Sequence, residues 1–327
     1  MQFSERIGRR MKLHDLHVLL TVVQAGSMGK AAARLNSCQP AISRSIAELE
    51  HALGVRLLDR SPQGVKPTGY GRALLDGGTA VFDELHRAVK NIEHLADPSA
   101  GDVRVGCNPL LAATYVSAAI DSLSQHYPRI VFRLVVGYVE TLHRELIERN
   151  VDLLVARRFG SIADDRLDYE FLFDDTYSVV VGAENPWSRR RKIELASLAD
   201  ERWVLPPPES TLGSIVMEAF RAIGLDYPHT VVIAEPFETR VALVATGRFV
   251  SVFPASLLRF SAMRPLKVLS VKHSIPPVPV GIVTLKNRTL SPVARRFIDS
   301  ARNVAKPLAK VSCAGNPATA LTSPANA

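Results

Sequence analysis

The stretch Gln39-Pro40-Ala41-Ile42-Ser43-Arg44-Ser45-Ile46-Ala47-Glu48-Leu49-Glu50-His51-Ala52-Leu53 decides how this chain folds. Ile42, Ile46, Leu49 and Leu53 stand at i, i+4, i+7 and i+11, which predicts one narrow apolar stripe on a helix. Pro40 near the start costs no hydrogen bond, because the first N–H groups of a helix have no intrahelical acceptor. Gly54 stops it. Pro40, Ser43, Arg44 and Ala47 fall opposite the stripe, with Gln39 at the N-terminal edge. The exposed face of the first two turns thus offers an amide, a hydroxyl and a guanidinium among small side chains. Glutamine can pair in bidentate fashion with adenine and arginine with guanine.

Upstream, Leu13–Ala25 carries Leu13, Leu16, Leu19, Leu20 and Val23 at helical spacing. Gly26 ends that helix and Ser27 can cap the next, Met28–Asn36, through its hydroxyl. Downstream, Val55–Arg60, the turn Ser61-Pro62-Gln63-Gly64 and Val65–Thr68 read as strand, turn and strand, with Arg60 and Lys66 at the rims. An ordinary three-helix bundle would account for the helices alone. The added hairpin favours a winged helix-turn-helix, whose second motif helix enters the major groove while the wing brings cations to phosphates.

Charge is distributed to match. The net charge is +8, and residues 1–72 hold eleven Lys/Arg against five Asp/Glu, whereas residues 73–97 hold two against five. A small module on a nearly balanced body therefore carries most of the excess cation density per residue, as a nucleic-acid-binding module would. A length of 327 residues suggests about two domains. No apolar run approaches the ~18 residues of a bilayer span, and Val18–Val23 is too short for a secretory signal. Cys38, Cys107 and Cys313 are too few and too scattered for a disulfide scaffold or a paired-cysteine zinc site. A cytoplasmic location is expected.

From Met11 to Leu75 the sequence resembles the winged helix-turn-helix of LysR-type transcriptional regulators. The resemblance rests on Leu16, Gly26-Ser27-Met28-Gly29-Lys30-Ala31-Ala32-Ala33-Arg34-Leu35, Gln39-Pro40-Ala41-Ile42-Ser43-Arg44, Leu49-Glu50, Leu53-Gly54, Leu57-Leu58-Asp59-Arg60 and Thr68-Gly69-Tyr70-Gly71, without gaps. It implies that Ser37, Gln39, Pro40, Ser43 and Arg44 meet base edges and nearby backbone. Arg60, Lys66 and the wing from Gln63 would meet phosphate or the minor groove. Cys38 stands where the family usually has Ser or Thr, so capping is expected to pass to Ser37, and Gln63 stands where a basic wing residue is common. Residues 1–10 form an extension before the family-like start at Met11, and residues 11–72 form the DNA-binding domain.

Residues 73–97 are expected to form a linker helix roughly 40 Å long at about 1.5 Å per residue. Leu74, Gly78, Val81, Leu85, Ala88, Ile92 and Leu95 step by four and three along a coiled-coil seam. Self-pairing through Leu74, Val81, Leu85 and Ile92 would present two recognition helices to a two-fold operator. The alternative is packing on the chain's own body. Asp97-Pro98-Ser99-Ala100-Gly101 then reads as a hinge.

Beyond it, strand-like segments (Val103–Cys107, Ile130–Gly137, Val151–Ala156, Tyr177–Gly182, Trp203–Leu205, Thr230–Ala234, Val250–Phe253, Lys267–Val271, Val278–Leu285) alternate with helical ones near 110–126, 140–149, 213–223, 237–246 and 292–305. This predicts an α/β region with mainly parallel sheets over 101–306. The small, Pro-containing stretch 307–327 is expected to be a disordered tail. The region resembles the LysR-type effector domain, of periplasmic-binding-protein fold, through Asn150-Val151-Asp152-Leu153-Leu154-Val155, Val244–Pro254 and Ser291-Pro292. That implies lobe I at about 101–172 and 277–306, lobe II at about 173–276, and a small molecule in the cleft between them. Candidate contacts at strand ends are Asn108, Pro109, Leu110, Tyr138, Val139, Ser210, Thr211 and Phe237. Asn and apolar groups stand where the family often has hydroxyls, so a less anionic or more apolar ligand is expected.

Phosphate-binding loops, His-Glu-x-x-His and Gly-x-Ser-x-Gly are absent from the sequence. His14 and His17 lack acidic or cysteine partners for a metal, and Cys107 is a lone thiol near the expected cleft. Neither enzyme activity nor a cofactor is expected. The partners implied are operator DNA, a small-molecule effector and further copies of the chain as a dimer or tetramer; the resemblance also admits RNA polymerase. Competing readings are a solute-binding or enzymatic α/β domain tethered to DNA, and a non-specific nucleoid-type binder.

Overall fold

The computed structural model describes residues 11–62, 64–158, 164–260, 266–272 and 275–314. The extension 1–10, Gln63 and the end of the expected tail, 315–327, lie outside the described residues. The chain divides into two compact units, Met1–Ile92 and Glu93–Ala327.

In the first unit α1 (Leu13–Ala25), α2 (Met28–Arg34) and α3 (Gln39–Leu53) pack around one core. The α3 stripe folds inward as its spacing requires: Ile42, Ile46 and Leu49 are buried against Val18, Leu19, Val22, Ala31 and Ala32. Burial of such side chains contributes about 1.5–3 kcal/mol each, which fixes the rotation of α3 about its axis. Gly26 ends α1 in the left-handed conformation at φ 71°, and Ser27 Oγ accepts from Lys30 N–H at 3.2 Å to open α2.

The wing is β1 (Leu58–Ser61) antiparallel to β2 (Gly64–Pro67), in the register Asp59–Lys66 and Arg60–Val65. It is tied down at two points. Val65 N–H donates to the Gly26 carbonyl at 3.0 Å, and Glu50 Oε1 on α3 accepts from Leu57 N–H at 2.7 Å and Leu58 N–H at 3.2 Å. A Cβ at Gly64 would come within 2.7 Å of the Gly26 oxygen, so this turn-to-wing approach requires glycine.

The long helix α4 spans Gly69–Ala96 and so starts before the expected residue 73. Its base belongs to the first unit's own core. Leu74 and Leu75 pack on the core cluster, and Gly78 is buried where a Cβ would meet Leu16 Cδ1 at 2.9 Å. Leu74 and Gly78 are thereby withdrawn from the expected seam, because close packing on α1 already claims them. From Val81 onward the stripe is bare: Val81, Leu85, Val89, Ile92 and Leu95 are all exposed.

The second unit contains two five-stranded sheets. In the first, β4 (Arg129–Val136), β3 (Ala100–Cys107), β5 (Leu153–Arg157), β14 (Val278–Leu285) and β6 (Leu167–Asp175) lie in that order. In the second the order is β10 (Thr230–Ile233), β9 (Trp203–Leu205), β11 (Val250–Pro254), β7 (Tyr177–Gly182) and β12 (Leu266–Val268). A short parallel pair, β8 (Ile193–Glu194) with β13 (Val271–Lys272), stands apart. The expectation of mainly parallel sheets is corrected. β3 pairs in parallel with β4 and β5, but β14 is antiparallel to β5 and β6. In the second sheet β9 is parallel to β10 and β11, while β7 is antiparallel to β11 and β12. The chain crosses between sheets and returns, so the strands flanking each crossover must run against the others.

The first crossover falls at Thr176, which puts all of β6 in lobe I and moves the expected boundary from 172/173 to Asp175. Helical turns Pro109–Leu111 (α5), a wider π turn Ala112–Val116 and Ser117–Ser124 (α6) follow β3, and α7 (Val139–Ile147) follows β4. In lobe II α8 (Thr211–Arg221), α9 (Phe237–Ala245) and α10 (Ala255–Phe260) follow β9, β10 and β11. The last helix, α11, runs Pro292–Ala314 straight through the expected start of the tail at Pro307. Val293, Ala294, Phe297, Ile298, Ala301, Ala305 and Leu308 continue one buried stripe past Pro307, and that packing outweighs the missing proline N–H.

Candidate nucleic-acid interface and inter-lobe cleft

The aliphatic side of α3 fills the core, which leaves the other side to solvent. Ser37, Gln39, Pro40 and Arg44 are exposed and Ser43 is half-buried. Arg60 Nη1 donates to Ser43 Oγ at 3.3 Å and Nη2 approaches Glu50 Oε2 at 3.9 Å, so the wing guanidinium sits beside the recognition face. Lys66, opposite Asp59 in the hairpin, is exposed. One point differs from expectation. The N-cap of α3 is Cys38, no side chain caps the helix, and Ser37 uses only its backbone N–H, bonded to Ala32 O at 2.9 Å. Pro40 within the first turn removes one donor that a cap would otherwise have to satisfy. Glu50, not anticipated from the sequence, is the residue that couples α3 to the wing.

The cleft lies at the C-terminal ends of β3, β4, β9 and β11. Asn108 caps α5, its Oδ1 accepting from Leu111 N–H at 2.8 Å, and Pro109 is the first helical residue. Leu110 reaches across to the lobe II cluster of Phe237, Phe253 and Leu257. Phe237 itself is 4% exposed, so its ring supports the cleft floor from below instead of lining it, because it opens α9 on that helix's buried face. Ser210 caps α8, accepting from Gly213 N–H at 3.1 Å and donating to Pro207 O at 2.6 Å, and Thr211 is the first residue of that helix. Tyr138 and Val139, at the start of α7, are exposed. Partial burial and then the Glu235 carboxylate, which accepts a hydrogen bond from the Tyr138 hydroxyl, push that phenol up. This contact bridges lobe I to lobe II.

Two arginines missed from the sequence dominate the cleft's electrostatics. Arg157, at the end of β5, donates to Asp175 Oδ2 at 2.6 Å and to Ser256 Oγ at 3.4 Å. Asp175 also accepts from Ser256 N–H at 3.0 Å and Ser256 Oγ at 2.7 Å, so a buried ion pair in lobe I is pinned to α10 of lobe II. Arg240 on α9 is 4% exposed and stacks over Phe253 at 5.4 Å. Its Nε and Nη1 are buried with no hydrogen-bond partner. Burial, the largest influence, pushes its guanidinium down to about 10. A signal was available: Arg240 stands on the Phe237, Val241, Val244 face of α9, where helical spacing calls for an apolar residue. Cys107 is fully buried and burial pushes its thiol up to about 12, so it stays protonated at neutral pH and has no thiolate chemistry to offer. Among the described residues no group of three or more metal-ligating side chains occurs, and no helix is long and apolar enough to cross a membrane.

Two family profiles match the chain: the bacterial regulatory helix-turn-helix protein, lysR family, at residues 13–72, and the LysR substrate binding domain at residues 96–306. The HTH-type transcriptional regulator GbpR of Azospirillum brasilense is 28% identical over 295 residues, covering 90% of this chain and 86% of the relative. Among solved structures, a full-length OxyR variant from Pseudomonas aeruginosa superposes with a TM-score of 0.66 at 23% identity, over 91% of this chain and 97% of that one. Full-length CbnR complexed with its target DNA gives 0.53 at 21% identity, over 90% and 100% of the two chains. At these identities the structural likeness speaks to fold.

Proposed function

The chain belongs to the LysR family of transcriptional regulators, and from that premise we propose that it reads a specific duplex sequence with α3, pairs through α4, and responds to a small molecule held between its lobes. Members of the family are DNA-binding regulators and not enzymes. The observation that carries the reading is the division of α3, whose Ile42, Ile46 and Leu49 are within 2% of full burial while Gln39, Pro40 and Arg44 face solvent beside Arg60. Gln39, Ser43 and Arg44 would address base edges, Ser37 and Pro40 the adjoining backbone, and Arg60 and Lys66 the phosphates. The protein acts in the cytoplasm on this reading, where its operator lies.

Selection of binding sites from a random duplex pool by the full chain tests the reading. The expected product is an inverted repeat with half-sites centred about 10–10.5 base pairs, or a multiple, apart. Recovery of unenriched sequence would favour a nucleoid-type binder that holds phosphates alone.

The bare stripe on α4 supplies the pairing surface. Five large apolar side chains from Val81 to Leu95 are between 43% and 81% exposed on one helix, a patch that a soluble monomer rarely leaves uncovered. Val81→Asp combined with Leu85→Asp is expected to yield monomers in sedimentation velocity with the helix content of the parent. An unchanged sedimentation coefficient would move the pairing surface elsewhere.

The cleft supplies the response. A small molecule that prefers one arrangement of the lobes shifts the regulator toward it by its difference in affinity between the two arrangements. Asn108, Leu110, Tyr138, Val139, Ser210 and Thr211 are the contacts we assign to it, over the floor made by Pro109 and Phe237.

A further inference from the structure

The guanidinium of Arg240 is a buried cation without a counter-ion. Asp175 neutralises Arg157 at 2.6 Å, but among the described residues no carboxylate lies within 4.0 Å of Arg240. Three groups act on it electrostatically, Tyr177, Glu238 and Tyr227, and two of these are phenols, uncharged at neutral pH. The third, Glu238, is exposed. Stacking on Phe253 is worth about 2 kcal/mol at most when desolvated, against a penalty of several kcal/mol for an unpaired buried ion. Nearby, the hydroxyl of Tyr227 is likewise buried and without a partner.

These open donors sit on the cleft side of lobe II. Phe253, beneath the guanidinium, is near the C-terminal end of β11 and Tyr177 begins β7 beside it, in the register Pro254–Tyr177. Leu110 of lobe I packs against the same cluster. We propose that Arg240 and Tyr227 form a carboxylate subsite, so that the effector is a small organic acid whose carboxylate takes Nε and Nη1 of Arg240 and the Tyr227 hydroxyl. The inference rests on the cleft reading above and sharpens it, and it reverses the less anionic ligand expected from Asn108 and its neighbours. Arginine suits the role because its planar fork matches a carboxylate with two parallel N–H···O bonds. An empty subsite keeps the donors unsatisfied, so much of the ligand's binding free energy comes from relieving that state.

The test uses the full chain with acetate, succinate and benzoate as probes, their neutral amides as controls, and chloride to match ionic strength, read by thermal midpoint and calorimetry. Carboxylates are expected to raise the midpoint where the amides do not. Arg240→Met should weaken carboxylate binding by at least about 30-fold, in line with loss of a buried charged partner. Tyr227→Phe, which removes one oxygen and keeps the ring, should weaken it about 3- to 10-fold, the worth of one hydrogen bond. Equal stabilisation by amides, no response to any carboxylate, or a carboxylate response untouched by both substitutions overturns the subsite. In the last case Val139→Trp, which crowds the cleft mouth, separates the two readings. A response lost in that variant leaves ligand binding in the cleft and discards only the Arg240 anchor, whereas one that persists discards the cleft as well.

Discussion

Replacing Ser43 and Arg44 together by alanine is expected to abolish preference for the operator over random duplex, with little change in binding to random duplex itself. Each good base contact discriminates by about 1–3 kcal/mol, so two lost contacts amount to roughly 30-fold to 10⁴-fold in relative affinity. The fold is not at risk, because both residues stand off the core. Arg44 is exposed and Ser43 is half-buried, with its hydroxyl engaged by Arg60 at 3.3 Å. Thermal midpoint and helix content should therefore match the parent. Competition between the selected site and random duplex, at one salt concentration, is the measurement. A fall of the same size on both DNAs would mean that these side chains serve phosphates and read no bases.

The second large effect is on stability. Asp175→Ala is expected to destabilise the effector unit by about 3–5 kcal/mol, because it leaves the Arg157 guanidinium buried without its charge partner. At about 2–4 °C per kcal/mol for a unit of this size, the midpoint should fall by roughly 6–20 °C. Arg157 is 6% exposed and Asp175 wholly buried, so water cannot take over the lost contact. Asp175 also holds Ser256 by backbone and side chain, at 3.0 and 2.7 Å, and those bonds go with it. Differential scanning calorimetry of the full chain should show one transition displaced and the DNA-binding unit's unchanged. A midpoint within a degree of the parent would show that the pair is replaceable.

Legibility followed the range of the interactions. The helix-turn-helix could be read because each of its determinants is local: the apolar stripe of α3, Gly26 and Ser27 at the turn, and Gly54 as the stop. The wing was legible for the same reason, but Glu50, which ties it down, was not, since its partners Leu57 and Leu58 lie beyond the helix end. Strand β6 escaped notice because Asp168, Glu170, Asp174 and Asp175 break its apolar pattern, and only pairing with β14 along its whole length makes it a strand. Strand directions depend on which sheet the chain returns to, a non-local fact. Gly78 looked like a neutral seam position, whereas its value lies in letting Leu16 approach. At the cleft the strand-end residues could be named in advance. Asn108 and Ser210 turn out to spend their side chains on helix caps, and the charged groups that distinguish this cleft come from α9 and β5.

The junction of Arg157, Asp175 and Ser256 sets how the lobes can swing. It lies where the chain first crosses between the sheets, next to Thr176, whose carbonyl accepts from Ala255 N–H at 2.7 Å. A point so firmly bonded moves least, and displacement grows with distance from it, as in any lever. Tyr138 and Glu235, joined hydroxyl to carboxylate across the gap, occupy the sweep of that arc. Their single bond is a latch that must part before the lobes separate, while the hub stays whole.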